Sequence, residues 1–139
     1  MTTWIFWLAC AGSGGGELPV HGAWARATPP GAENGAVFLT VENPGTRARA
    51  VVEARSPAAR RVELHTHVTV DGSMQMRRVE RFEVPAGGVA VLAPGGDHVM
   101  LVGLTGELSA GGELPLTLVL DDGTAQVVTV PVRDTPPGG

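Results

Sequence analysis

The chain has 139 residues, a formal net charge of −4 and a pI near 5.5, which makes one domain with a modest core. No basic patch accompanies that acidic balance, so a nucleic-acid partner is not expected. Gly (20) and Pro (11) together exceed a fifth of the residues and Tyr is absent, yet 43% of the chain is hydrophobic. That combination excludes global disorder and points to short strands punctuated by turns.

In chain order, "MTTWIFWLAC" (1–10) is apolar but too short to span a bilayer, and "AGSGGGE" (11–17) has the composition of a flexible linker. An apolar run, then Leu-Ala-Cys, then small residues resembles the cleavage region of a bacterial lipoprotein signal. It lacks the basic n-region and places Trp7 where such signals usually carry Leu; a mis-called start or a frayed N-terminus is the alternative. Residues 1–17 are therefore set apart as leader and linker, 18–133 as the domain and 134–139 as a short disordered tail. Cys10 is the one cysteine and falls in the leader, so the domain body has neither a disulfide nor a thiolate-ligated zinc or blue-copper site.

Beyond Leu18 the pattern has a period of two. "AVFLTVEN" (36–43) reads as a strand ending at the turn "NPG", with "RARAVVEA" (47–54) as its expected hairpin partner. Residues 61–70 and 74–81 flank a DG turn and form a second expected hairpin. "VAVLAP" (89–94), "HVMLVG" (98–103), "LPLTLVL" (114–120) and "AQVVTVPV" (125–132) follow. In 114–120 the residues Leu114, Leu116, Leu118 and Leu120 share one face. No amphipathic helix of useful length is visible; 56–60 and 106–112 each have room for a turn or two. Eight or nine strands with turns every 8–12 residues predict an all-β, antiparallel Greek-key β-sandwich.

The candidate site emerges from side-chain parity. In "VELHTHVTV" the residues Val62, Leu64, Val68 and Val70 share the core face, which sends His65 and His67 to the other. In "DHVMLVG" the residues Val99 and Leu101 take the core face and leave His98 and Met100 opposite. If Asp71-Gly72 is a two-residue turn, Val70 pairs with Ser73, Thr69 with Met74 and His67 with Met76. His65, His67, Met74 and Met76 then share one face of the hairpin. A methionine is more often core filler than ligand, but here its strand neighbours already claim the core. Thioether sulfur is soft and neutral. Softness selects Cu(I), whereas zinc prefers thiolate, imidazole or carboxylate. A shallow site near the surface suits handing copper on rather than storing it.

The spacing His65, ten residues, Met76, twenty-one residues, His98-x-Met100 resembles the signature of the copper chaperones called PCuAC. "WARATPPGAENGAVFLTVEN" (24–43), "SPAARRVELH" (56–65), "VPAGG" (84–88) and "APGGDHVMLVGL" (93–104) are similar to that family as well, so the resemblance covers roughly residues 18–133. It implies a cupredoxin-like sandwich in the periplasm, binding one Cu(I) through His65, Met76, His98 and Met100. It also implies delivery to the dinuclear copper site of cytochrome c oxidase, through an oxidase subunit or another copper chaperone. Some relatives carry a His- and Met-rich tail; "VRDTPPGG" does not, which puts a second copper site in doubt. His67 stands where relatives vary and is expected to be a surface histidine, with a spare ligand as the alternative. Met74 is given a supporting role, and His21 reads as an ordinary surface residue unless the fold brings it near.

Other classes fare worse. An electron-transfer cupredoxin needs a Cys thiolate in the site. A thiol oxidoreductase needs a reactive Cys in the domain, and a metal-assisted hydrolase needs a polarised water and a base beside the metal. A β-sandwich that serves only as a structural or interaction module leaves the outward His/Met clustering to chance. The expectation is a binding and delivery protein, not an enzyme.

Overall fold

The computed structural model describes residues 16–135. The leader including Cys10, and residues 136–139 of the tail, lie outside them. Ten strands occupy the described residues: β1 (Val20–Arg26), β2 (Asn34–Glu42), β3 (Arg49–Arg55), β4 (Ala59–Val70), β5 (Ser73–Val79), β6 (Phe82–Val84), β7 (Val89–Leu92), β8 (His98–Leu104), β9 (Glu113–Leu120) and β10 (Ala125–Arg133). No helix interrupts them.

One layer runs β5-β4-β8-β2-β1, with β7 continuing along the edge of β2 beyond β8; the other runs β10-β9-β3-β6. The layers enclose a single core. Val37, Leu39, Leu64, Val99 and Leu101 enter it from the first layer, and Val51, Phe82, Val84, Leu114, Leu116, Leu118 and Leu120 from the second. Each fully buried Leu or Val contributes about 1.5–3 kcal/mol of apolar transfer. The period-two reading of 114–120 is realised, since all four leucines are buried and the residues between them are not.

Two pairings differ from expectation. β2 and β3 form no hairpin: β2 pairs with β1, β7 and β8, whereas β3 pairs with β6 and β9. Both edges of β2 are already taken, so the chain crosses to the other layer. Buried Asn43 stabilises that crossing. Its Nδ2 donates to Arg47 O at 2.7 Å and Val84 O at 3.0 Å, and its Oδ1 accepts from Gly45 N at 3.1 Å. The amide thus satisfies backbone groups of the crossing loop and of β6. The second difference is that the sandwich is not wholly antiparallel. β1 and β10 run parallel, with Ala25 opposite Val132 and Arg26 opposite Arg133, and this pairing joins the two layers. β1 and β6 are the two strands beyond those read from the sequence.

The chain enters the domain through a reciprocal clasp. Leu18 N donates to Gln126 Oε1, and Gln126 Nε2 donates to Leu18 O, each at 2.8 Å. Gly16, grouped with the linker by sequence, donates from N to Asp122 Oδ2 and accepts at O from Arg49 Nη2. Asp122 is held well below the usual carboxylate range, to about 2, chiefly by the backbone N–H of Thr124, with Gly16 N–H and Arg49 adding to it.

Candidate metal centre

The hairpin of β4 and β5 has the register expected of a two-residue turn. Val70 pairs with Ser73, Thr69 with Met74 and His67 with Met76. Asp71 (φ 50°) and Gly72 (φ 82°) both adopt the left-handed region that a type I′ turn requires, which is why the pair is Asp-Gly. On its other edge β4 pairs with β8, placing His65 opposite His98 and Glu63 opposite Met100. β2 lies beyond, with Ala36 opposite Met100. Three neighbouring strands therefore bring His65, His67, Met76, His98 and Met100 together on the face turned away from the core.

That face is not simply wet. Trp24 and Phe38 are buried on it with ring centroids 5.0 Å apart, and the Arg26 guanidinium lies over both, at 5.4 and 5.7 Å. The Phe38 ring approaches His98 at 6.2 Å. His98 is only 4% exposed, which corrects the expectation of a shallow site: one imidazole is buried beside the Phe38 ring, while Met76 is 49% exposed. His67, Met76, His98 and Met100, walled by Phe38 and by Pro94–Gly95, line a depression of about 260 Å³.

Each imidazole has one nitrogen anchored. His98 Nδ1 and His67 Nδ1 both donate to Gly96 O, each at 3.1 Å, which leaves Nε2 of both rings with the lone pair. The Gly96 carbonyl is held there by a turn in which Ala93 N–H donates to Asp97 O and Gly96 N–H to Ala93 O, while the Thr66 hydroxyl donates to Asp97 Oδ1. His65 is held through its other nitrogen: Nε2 meets Glu63 Oε1 at 2.9 Å, and Nδ1 is buried with no hydrogen-bond partner. Glu63 in turn accepts from Arg61 Nε at 2.7 Å. The hydrogen bond from His65, then that from Arg61, lowers the Glu63 carboxyl below its ordinary value. Burial lowers His98 below the ordinary histidine value, reinforced by the neighbouring His67 and His65.

The ring centroids lie 5.7 Å apart for His65 and His98, and 5.3 Å apart for His67 and His98. Two imidazoles bound to one ion through metal–nitrogen bonds of about 2.0 Å have centroids about 5–6 Å apart. Either pair fits that separation. Among the described residues, no three or more His, Cys, Asp or Glu side chains are grouped to hold a metal ion. What converges is imidazole with thioether.

The remaining sequence candidates separate. His65 does not line the depression but stands beside it, its ring 5.7 Å from that of His98, whereas Met74 is 63% exposed, lies outside the depression and is not brought into the cluster. His21 is an exposed residue on β1 whose Nε2 meets Glu42 Oε2 at 3.2 Å, away from the site. His67, expected at the surface, is half-buried in the depression. Sequence reasoning missed Glu63, although it shares the outward parity of His65. It also missed Gly96, whose role lies in its carbonyl and is invisible in residue type.

The family described as "Putative lipoprotein LpqE-like" matches residues 18–132. The chain belongs to that family. A relative described as "Putative lipoprotein Lxx21020", from Leifsonia xyli subsp. xyli, is 41% identical over 118 residues, covering 84% of this chain and 70% of that protein. Among solved structures, this LpqE-like chain is similar to the Cu(I) form of DR1885 from Deinococcus radiodurans, with 32% identity, a TM-score of 0.66 and coverage of 91% of this chain and 87% of that one. The copper-bound PCuAC domain from PmoF2 superposes with a TM-score of 0.72 over 86% of this chain and 95% of that domain at 22% identity, a likeness of fold. The all-β sandwich expected from the strand pattern is thus shared with PCuAC domains.

Proposed function

We propose that this LpqE-like protein is a PCuAC-type Cu(I)-binding metallochaperone that works outside the cytoplasm, in the periplasm or an equivalent compartment. His65, Met76, His98 and Met100 are its ligands. One observation carries the reading: strands distant in sequence gather imidazole and thioether donors on a sheet face whose packing does not require them. The donor set fits the ion. Cu(I) is soft and singly charged, so neutral nitrogen and sulfur donors suffice, and no carboxylate is needed to balance charge. The buried Nδ1 of His65 lacks a partner, and its Nε2 rests on a carboxylate, an arrangement that recurs around metal-bound histidine. The structurally similar DR1885 is described in its Cu(I) form, which supports the same cargo here.

Copper is cargo in this reading, not a catalytic cofactor. His98 and Met100 position the ion against Phe38, and Met76 at the exposed rim offers the side from which an acceptor approaches. The acceptor we infer is the dinuclear copper site of cytochrome c oxidase, reached directly or through another copper chaperone. Cys10 is the residue we assign to a lipid anchor, in keeping with the lipoprotein descriptions of the family and its relative. The domain is clasped at Leu18, whereas Arg26 at the other end of β1 borders the site. Even with the bulge between His21 and Trp24, the ends of β1 lie on the order of 15–20 Å apart.

An anaerobic titration of the purified domain with Cu(I) against a chromophoric chelator, repeated with Zn(II), tests the proposal. One tight Cu(I) equivalent with little Zn(II) bound is expected. A folded domain that binds no Cu(I) would favour a structural or interaction module. Mass spectrometry of membrane-derived protein tests the anchor, and an unmodified Cys10 there would sink that assignment.

A further inference from the structure

Two histidines on β4 compete for one role. His65 and His67 are two residues apart in a strand, so both side chains leave the same face. Their rings stand at similar distances from His98, 5.7 and 5.3 Å. Each ring has one nitrogen anchored, His65 by Glu63 and His67 by Gly96 O, and each keeps the other nitrogen for a ligand. They differ in their neighbours. His65 lies directly opposite the buried His98, whereas His67 lies directly opposite the exposed Met76 and lines the depression with it. His65 does not line that depression, so the two approach the ion from separate positions rather than as one pair.

Resting on the copper reading, we infer that His67 is a direct copper ligand that alternates with His65 on an ion retained by His98. One neutral imidazole replaces another, so the charge of the site does not change and no proton moves. The exchange carries the ion from the His65–His98 row toward the His67–Met76 row, from the buried side of the site to its accessible rim. The two rows give the protein a deep and a shallow copper position, and His67 makes the shallow one.

The test is a double-mutant cycle in the full chain, using His65→Ala, His67→Ala and the double variant, with anaerobic Cu(I) competition against a chromophoric chelator. Each single variant is expected to lose roughly tenfold or less, because the other histidine takes over. The double variant is expected to lose at least about tenfold more than the product of the single effects, the signature of coupled residues. Nitrogen-15 spectra of the Cu(I)-loaded wild type are expected to show both rings perturbed. The inference is overturned if His67→Ala binds like wild type and the double variant matches His65→Ala. His67→Asn, run beside it, guards against a fold defect from truncation. Failure of wild type itself to bind Cu(I) overturns the copper reading and this inference with it, an outcome distinct from a silent His67.

Discussion

The site has two unlike halves. The half on β8 is built on an interior strand flanked by β4 and β2. His98 is packed against Phe38 and anchored to Gly96 O, and its neighbours Val99 and Leu101 are fully buried in the core. The half on the β4–β5 hairpin ends at the edge of the sheet, where Met76 belongs to a strand paired on one side only and is half exposed. On the proposed reading, that difference lets one site both hold copper and release it. Donors on the interior strand are fixed by the same packing that stabilises the domain, while an edge strand with few buried contacts opens at low cost.

The sharpest way to break that comparison is to act on the two faces of β8 separately. Leu101→Ala should destabilise the domain by about 2–5 kcal/mol, since it opens a cavity in the shared core, and urea denaturation would measure it. His98→Ala should leave the domain folded yet weaken Cu(I) binding by more than about 100-fold, beyond what loss of an outer partner costs. Unfolding of the His98 variant would mean that its burial serves the fold first.

Glu63→Gln should rank next. It keeps the shape beside His65 but removes the carboxylate charge; because it acts through His65, whose loss His67 covers, a fall of no more than about tenfold in Cu(I) affinity is expected. An unchanged affinity would show that the Glu63–His65 contact is only a surface ion pair. Met76→Ala should weaken binding less than His98→Ala and slow the passage of copper to an acceptor, read by stopped-flow transfer to a chelator. Equal losses at Met76 and His98 would erase the distinction between the halves.

Acid provides a control remote from both halves. The Asp122 carboxyl is lowered from its ordinary value to about 2 in the folded protein, so the unfolded chain binds its proton more readily. Its stabilisation is therefore present above about pH 4 and is lost as pH falls toward 2. In thermal melts across that range, Asp122→Asn should flatten the dependence without changing Cu(I) binding at neutral pH. Met74→Ala should have the smallest effect of all, within about 0.5 kcal/mol of stability and with unchanged copper affinity, because the side chain is exposed and outside the depression.

Much of this was legible beforehand, for identifiable reasons. Strand parity placed Leu64, Val99 and Leu101 inward and His65, His98 and Met100 on the opposite face, because side chains alternate with a period of two regardless of what surrounds the strand. The Asp-Gly turn set the register that puts His67 opposite Met76. The expected β2–β3 hairpin failed because a local turn signal at Asn43 carries no information about which strands already occupy the edges of β2. The burial of His98 was also out of reach, since Phe38 packs against it from a strand that sequence alone did not place beside it.

What the sequence by itself determined is the chemistry and its sidedness: soft and imidazole donors, no thiolate in the domain, and a face on which apolar packing does not need them. What only the tertiary structure decided is the company those donors keep. Strand order set β8 between β4 and β2, bent the Gly96 turn so that one carbonyl anchors two histidines, tied His65 to Glu63 and brought His67 into the depression. Alternation along a strand is a local property of the backbone. The choice of neighbouring strand is made by the closing of a shared core, and it depends on every other strand at once.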